Sequence, residues 1–145
     1  MKIAISSDHG GNQLRKEITQ LLSERGIDFE DFGPTTDASV DYPDYATTVC
    51  EGVAAGKFDR GILICGTGIG MSIAANKIKG IRCALVHDVF SAKATRAHND
   101  TNVLAMGERV IGAGLAREIV TEWLGTSYEG GRHGLRIEKL MKLED

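Results

Sequence analysis

The sequence predicts an α/β fold, a five-stranded parallel sheet with helices on both faces, and two observations carry that expectation. Short apolar runs alternate with longer stretches whose apolar residues recur at helical spacing, and brief polar turns separate the two kinds. The polar clusters that carry chemistry stand after strands, where an open parallel sheet collects its ligands. A Rossmann-like three-layer sandwich forming one domain over residues 1–145 fits both.

The first strand covers residues 2 to 6, and Ser7-Asp8-His9-Gly10-Gly11 turns the chain into a helix. Leu14, Ile18, Leu21 and Leu22 share one face of that helix, and Gly26 is placed to end it. The second strand runs from Ile27 to Phe32. Pro34 and Pro43 exclude regular structure from the polar segment Gly33 to Asp44, which is long enough to be functional. Pro43 or Asp44 starts the next helix, which carries Val49 and Val53. Ile62 to Ile64 forms the third strand, Arg82 to Val86 the fourth and Asn102 to Met106 the fifth, with helices near 69 to 78, 89 to 98 and 113 to 124. The basic stretch Gly130-Gly131-Arg132-His133-Gly134-Leu135-Arg136 precedes a last short helix whose apolar face is Ile137, Leu140 and Leu143. That helix is too short to stand alone and must dock.

A chain of 145 residues, 42% hydrophobic and 26% charged, suits one core and leaves no room for a second catalytic domain. Its net charge of -3 excludes a general attraction to nucleic acid or anionic lipid, so any anion must be held by local cations. No signal-peptide core and no long apolar span occurs, and a cytoplasmic location is expected. Cys50, Cys65 and Cys83 are odd in number and lack CxxC spacing, which argues against a disulfide framework and against a zinc site.

Cys65 is the most informative position. Gly61-Ile62-Leu63-Ile64 breaks there into Gly66-Thr67-Gly68-Ile69-Gly70, and a helix follows. A thiol at a strand end facing a turn of free amides is a candidate base, and the same amides cradle negative charge. Cys50 and Cys83 read as inert small hydrophobes. The glycine pattern fits neither the dinucleotide fingerprint, because Met71 stands at the third glycine position, nor a nucleotide P-loop, because no Lys-Ser/Thr pair follows. Asp8 and His9 read equally as a helix cap with a solvated turn residue or as ligands, and His98 equally as a helix C-terminal residue or as an acid/base group. Asp8-His9 follows the first strand, His87-Asp88 the fourth and Gly107-Glu108-Arg109 the fifth, while His98-Asn99 closes the helix before the fifth; all are expected at one edge of the sheet. Arg109, Arg132 and Arg136 are ordinary surface charges singly, but three arginines beside glycines in an acidic protein suggest a phosphate site. Together these parts suit enolisation of a sugar phosphate: a base shuttles a proton between adjacent carbons, amides hold the enediolate, and a histidine opens the ring. That chemistry needs no metal or cofactor.

The ordered set Ser7-Asp8-His9-Gly10-Gly11, Asp41-Tyr42-Pro43-Asp44, Cys65 through Lys77, His98-Asn99-Asp100, Gly107-Glu108-Arg109 and Gly131-Arg132-His133 resembles the B-type ribose-5-phosphate isomerases, whose family includes galactose-6-phosphate isomerase subunits. The resemblance spans nearly the whole chain. It implies that Cys65 moves the proton between C1 and C2, that His98 opens the furanose, and that Asp8 binds sugar hydroxyls. It implies that Gly66, Thr67, Gly68, Ile69 and Gly70 hold the enediolate, that Asn99 orients the open chain, and that His9, Arg109, Arg132 and Arg136 contact the phosphate. It also implies a step in the non-oxidative pentose phosphate pathway. A homodimer or tetramer follows from it, with the last helix packed across the interface and His98, Asn99 and Arg109 serving the neighbouring chain's Cys65. One branch of the family replaces the cysteine with a glutamate just after the glycines. Here Met71 occupies that place and cannot accept a proton. Six-carbon substrates, allose or galactose 6-phosphate, are the rivals within the family, since one extra hydroxymethylene is discriminated only about 10 to 200-fold. A rival of another class is a nucleotide-binding module, with Asp88 as its ribose-binding carboxylate.

Overall fold

The computed structural model describes residues 1–145. The five strands are β1 (Lys2–Ser7), β2 (Asp28–Asp31), β3 (Arg60–Cys65), β4 (Cys83–Leu85) and β5 (Val103–Gly107). They form one parallel sheet in the order β2-β1-β3-β5-β4. The helices are α1 (Asn12–Glu24), α2 (Tyr42–Ala54), α3 (Ile69–Ala75), α4 (Val89–Asn99), α5 (Ala113–Gly125) and α6 (Arg132–Met141).

The three central strands are buried on both faces, and the alternation of side chains along them divides the core in two. Ile3, Ile5, Ile62, Ile64, Leu104 and Met106 point to the face covered by α1, α4 and α5, with fully buried Trp123 among them. Ala4, Leu63, Cys65, Val103 and Ala105 point to the other face, under α2 and α3. Small residues on this second face let α2 lie close. A Cβ on Gly61 would stand 2.6 Å from a Val49 methyl.

Each expected strand is present, with boundaries shifted by one or two residues, and the differences at two helices have local causes. The helix expected over 69 to 78 stops at Ala75, because Asn76 turns its side chain to Cys83, donating to the Cys83 carbonyl at 3.0 Å and accepting its N–H at 2.9 Å. The basic stretch is not a lead-in to the last helix but part of it. α6 starts at Arg132, immediately after two glycines of positive φ, Gly130 and Gly131. Arg132 and Arg136 therefore lie one turn apart on the same helical face.

α6 rests on α4, and the turn after it is tied to residues 79 and 80 by Lys79–Asp145 at 2.9 Å and by the Gly80 N–H to Glu144 at 2.9 Å. Much of the apolar surface of α6 and of the turn after it stays bare, with Leu135 65% and Leu143 81% exposed.

Candidate active site

The connection from β1 leads to β2 on one side, and the chain returns past β1 to β3, so the strand order reverses between β1 and β3. Loops leaving the carboxyl ends of these two strands diverge and leave a crevice, the place where open α/β sheets bind ligands. Asp8 and Cys65 stand on its two sides.

Close packing builds this crevice. The Asp8 N–H donates to the Ile64 carbonyl at 3.1 Å, and Asp8 Oδ1 accepts the Gly10 N–H at 2.8 Å. Asp8 is thus a cap, yet its second carboxylate oxygen accepts no hydrogen bond from the protein. A Cβ on Gly11 would fall 2.6 Å from the Ile64 carbonyl oxygen, so only glycine lets the loop press onto β3. His9 Nδ1 accepts the Val40 N–H at 3.1 Å, which leaves Nε2 to carry the proton of the neutral ring and to donate outward.

On the other side, Cys65 is 5% exposed at the end of β3 and receives the Gly68 N–H on its sulfur at 3.1 Å. Gly68 has φ +75°, and a Cβ there would meet Leu85 at 2.6 Å and the Met106 carbonyl carbon at 2.7 Å. Thr67 and Ile69 are exposed, with Thr67 Oγ1 accepting the Ile69 N–H at 3.3 Å. Tyr42 covers Gly70; a Cβ there would lie 2.7 Å from the phenol ring. Cys50 and Cys83 differ from Cys65, as burial pushes the Cys50 thiol up to about 12 and the Cys83 thiol higher still. Both remain neutral structural thiols.

Arg109 closes the same crevice. Its N–H donates to the Gly66 carbonyl at 3.0 Å, and its guanidinium lies 3.3 Å from where a Gly66 Cβ would project. Arg109 thus lies beside the Cys65 turn of its own chain.

His98 and Asn99 depart from expectation more sharply. α4 leaves the carboxyl end of β4 and runs back to the start of β5, so its last residues reach the amino edge of the sheet. Across the five residues of β5 that is roughly 16 Å from the Cys65 edge. The α4 terminus is held firmly. Arg82 donates to the carbonyls of Asn99 at 3.0 Å and Asp100 at 2.7 Å, and Arg96 bonds the Asp100 carboxylate at 2.8 Å and the Thr101 carbonyl at 2.6 Å. α6 brings its own residues to this place. His133 stacks on His98 with ring centroids 4.5 Å apart, and a recess of about 350 Å³ is lined by His98, Asn99, His133, Arg136, Ile137 and Leu140. Arg132 precedes His133 and is exposed.

The expected residues therefore form two half-sites. Asp8, His9, Cys65, the glycine turn and Arg109 lie at one edge; His98, Asn99, Arg132 and Arg136 lie at the other. A larger cavity of about 650 Å³ beneath α6 includes Asn99 but not Cys65.

Asp88 serves its own helix. Its Oδ1 accepts the Ser91 N–H at 2.6 Å as the cap of α4, and that bond holds its carboxyl below the usual range. The nucleotide-binding rival loses its best support. Sequence reasoning gave no role to Tyr42, His87 or Glu129 and did not foresee the stacking of His133 on His98. His87 Nε2 accepts the Gly107 N–H at 2.9 Å beside the Cys65 turn, and only its position after a strand signalled it.

A profile of the family described as Ribose/Galactose Isomerase matches residues 3–140. Ribose-5-phosphate isomerase B of Escherichia coli is 52% identical over 143 residues, covering 99% of this chain and 96% of its own. D-erythrulose-4-phosphate isomerase of Pectobacterium atrosepticum is 44% identical, covering 97% and 93%. The structure of ribose-5-phosphate isomerase B from Clostridium thermocellum superposes with TM-score 0.98 at 51% identity, covering 99% of this chain and 97% of that one.

Proposed function

The chain belongs to the ribose/galactose isomerase family, and from that premise we propose that it interconverts ribose 5-phosphate and ribulose 5-phosphate through an enediolate. The observation that carries the reading is Cys65 at the β1/β3 crevice, its sulfur in contact with the Gly68 N–H at the start of the glycine turn's helix.

In this mechanism His98 protonates the ring oxygen while the anomeric hydroxyl loses its proton, which opens the furanose to the aldehyde. The Cys65 thiolate takes the proton from C2, the electron pair moves onto the carbonyl oxygen, and main-chain N–H groups of residues 66–70 hold the resulting oxyanion. The C2 hydroxyl proton passes to the C1 oxygen and the thiol returns its proton to C1, which leaves the carbonyl of the ketose at C2. Asp8 binds sugar hydroxyls and Asn99 orients the open chain. His9, Arg109, Arg132 and Arg136 hold the phosphate, the arginines in the forked geometry that suits it.

Because the half-sites sit at opposite edges of one chain, a working site joins the Cys65 edge of one copy to the His98 edge of another. The bare apolar residues Ile69, Ile73, Phe90 and Leu135, 50 to 81% exposed, support a covering second copy. No helix is long and apolar enough to cross a membrane.

Side-by-side turnover of ribose 5-phosphate, allose 6-phosphate and galactose 6-phosphate, with Cys65→Ser as control, tests the reading. The pentose is expected to be preferred, because this chain carries base, ring-opening histidine and arginines by itself. Faster turnover of a hexose phosphate overturns the substrate assignment, and tight NAD binding without isomerase activity overturns the class.

A further inference from the structure

Glu129 lies just before α6, and its main-chain N–H donates to the Ala97 carbonyl at 3.0 Å, which fixes it beside the end of α4. Its Oε2 stands 4.0 Å from His98 Nε2 and 3.5 Å from His133 Nε2. The three atoms lie within 4.8 Å of one another. With the rings only 14° from parallel, both Nε2 atoms address the same carboxylate oxygen.

Two imidazole nitrogens and one carboxylate oxygen form a donor set that holds zinc with a coordination position left open. Bonds of about 2.0–2.1 Å in a tetrahedral site place ligand atoms about 3.3 Å apart. The nitrogen–oxygen pairs must therefore close by no more than about 0.7 Å, and the rings must splay so that their nitrogens converge. Glu129 and His98 are exposed enough to make that adjustment, while His133 is nearly buried and supplies the fixed point. Arg136 lines the same recess and opposes any cation, so the ion must be one that gains most from imidazole. Magnesium and calcium, which prefer oxygen, do not meet that condition.

We propose that His98, Glu129 and His133 bind a zinc-class divalent cation, and that the ion, by occupying His98 Nε2, stops ring opening. The inhibitory half rests on the function proposed above; the binding half does not.

Metal-free protein is titrated with Zn²⁺ against a chromophoric chelator, and with Co²⁺ followed by absorption, both without substrate. One ion per chain is expected, with no sulfur-to-cobalt charge-transfer band. Affinity stays unchanged in Cys65→Ser and falls at least about tenfold in Glu129→Gln and in His133→Gln. Zn²⁺ then stops turnover over the concentration range in which it binds, and a chelator restores it. A thiolate band, or equal affinity in the two variants, overturns the site. Binding without inhibition overturns the switch. Binding as described by a protein that turns over no ribose 5-phosphate sinks the functional reading and leaves the metal site standing.

Discussion

Gly68 donates its main-chain N–H to Cys65 Sγ from 3.1 Å, within a turn that no other residue type can enter at that position. The sulfur is thereby oriented toward the amides that would hold the enediolate. In Cys65→Ser the same N–H meets a hydroxyl, far less acidic than a thiol and a poor acceptor of a carbon-bound proton. The expected outcome is a loss of at least about 100-fold in kcat, or about 2.7 kcal/mol of barrier. Near-normal turnover in a steady-state assay would mean that another group takes the proton.

The placement of His98 at the amino edge makes subunit sharing testable by complementation. Cys65→Ala and His98→Ala chains are each expected to be inactive alone. Unfolded together and refolded as a mixture, they regain activity, because a hybrid dimer contains one intact site. No recovery despite verified hybrid formation counts against a shared site.

The strands were legible because apolar runs of the right length stand between turn residues, and the half-site around Cys65 was legible because the glycines mark close approaches. Residue types alone do not mark which edge of the sheet a helix end reaches. His98 closes α4, and α4 runs antiparallel to the strands, so a polar pair just before β5 falls opposite a cluster just after β3. The same order of elements, followed through, gives that result; reading every polar cluster as one edge does not. That Arg109 lies beside Gly66 was not legible either, because the link is a main-chain hydrogen bond that leaves no compositional trace. The contacts of Tyr42 with Gly70 and of Glu129 with Ala97 were unforeseen for a similar reason, since the partners are distant in sequence.

Gly107 pairs with Cys65 across β3 and β5, and a Cβ there would stand 2.5 Å from the Thr67 carbonyl carbon. Backbone cannot yield as a side chain tip can. Gly107→Ala is therefore expected to displace residues 66–68, lowering kcat at least about tenfold, equivalent to about 1.4 kcal/mol, and lowering the melting temperature as well. Gly112, where an added Cβ meets nothing within 4 Å, provides the control: Gly112→Ala leaves kcat within about twofold.

Glu108 caps a helix far from it in sequence. Its Oε1 accepts the Leu14 N–H at 2.7 Å, and α1 has no side-chain cap of its own. Glu108→Ala should cost about 1 kcal/mol in urea unfolding, the usual worth of a lost cap. Glu108→Gln keeps an acceptor oxygen and loses only the charge that favours a helix N-terminus, so it should cost less. Equal costs would show that the charge, and not the hydrogen bond, carries the effect.

His87 accepts the Gly107 N–H on Nε2, and this bond exists only while that nitrogen is unprotonated. Burial lowers its pKa from the usual 6.5, although the neighbouring Asp88 pulls the other way. With the folded value below the unfolded one, the unfolded chain binds more protons between the two. The stabilisation is thus fully present above pH 6.5 and is lost as pH falls through the lowered value. In His87→Gln the amide oxygen accepts the same N–H without titrating. Urea midpoints measured from about pH 7.5 to about pH 5 should fall more steeply for the natural chain than for His87→Gln. Parallel curves would mean that the imidazole gains its proton without releasing the Gly107 turn, and the acid sensitivity of the fold would then reside in its carboxylates.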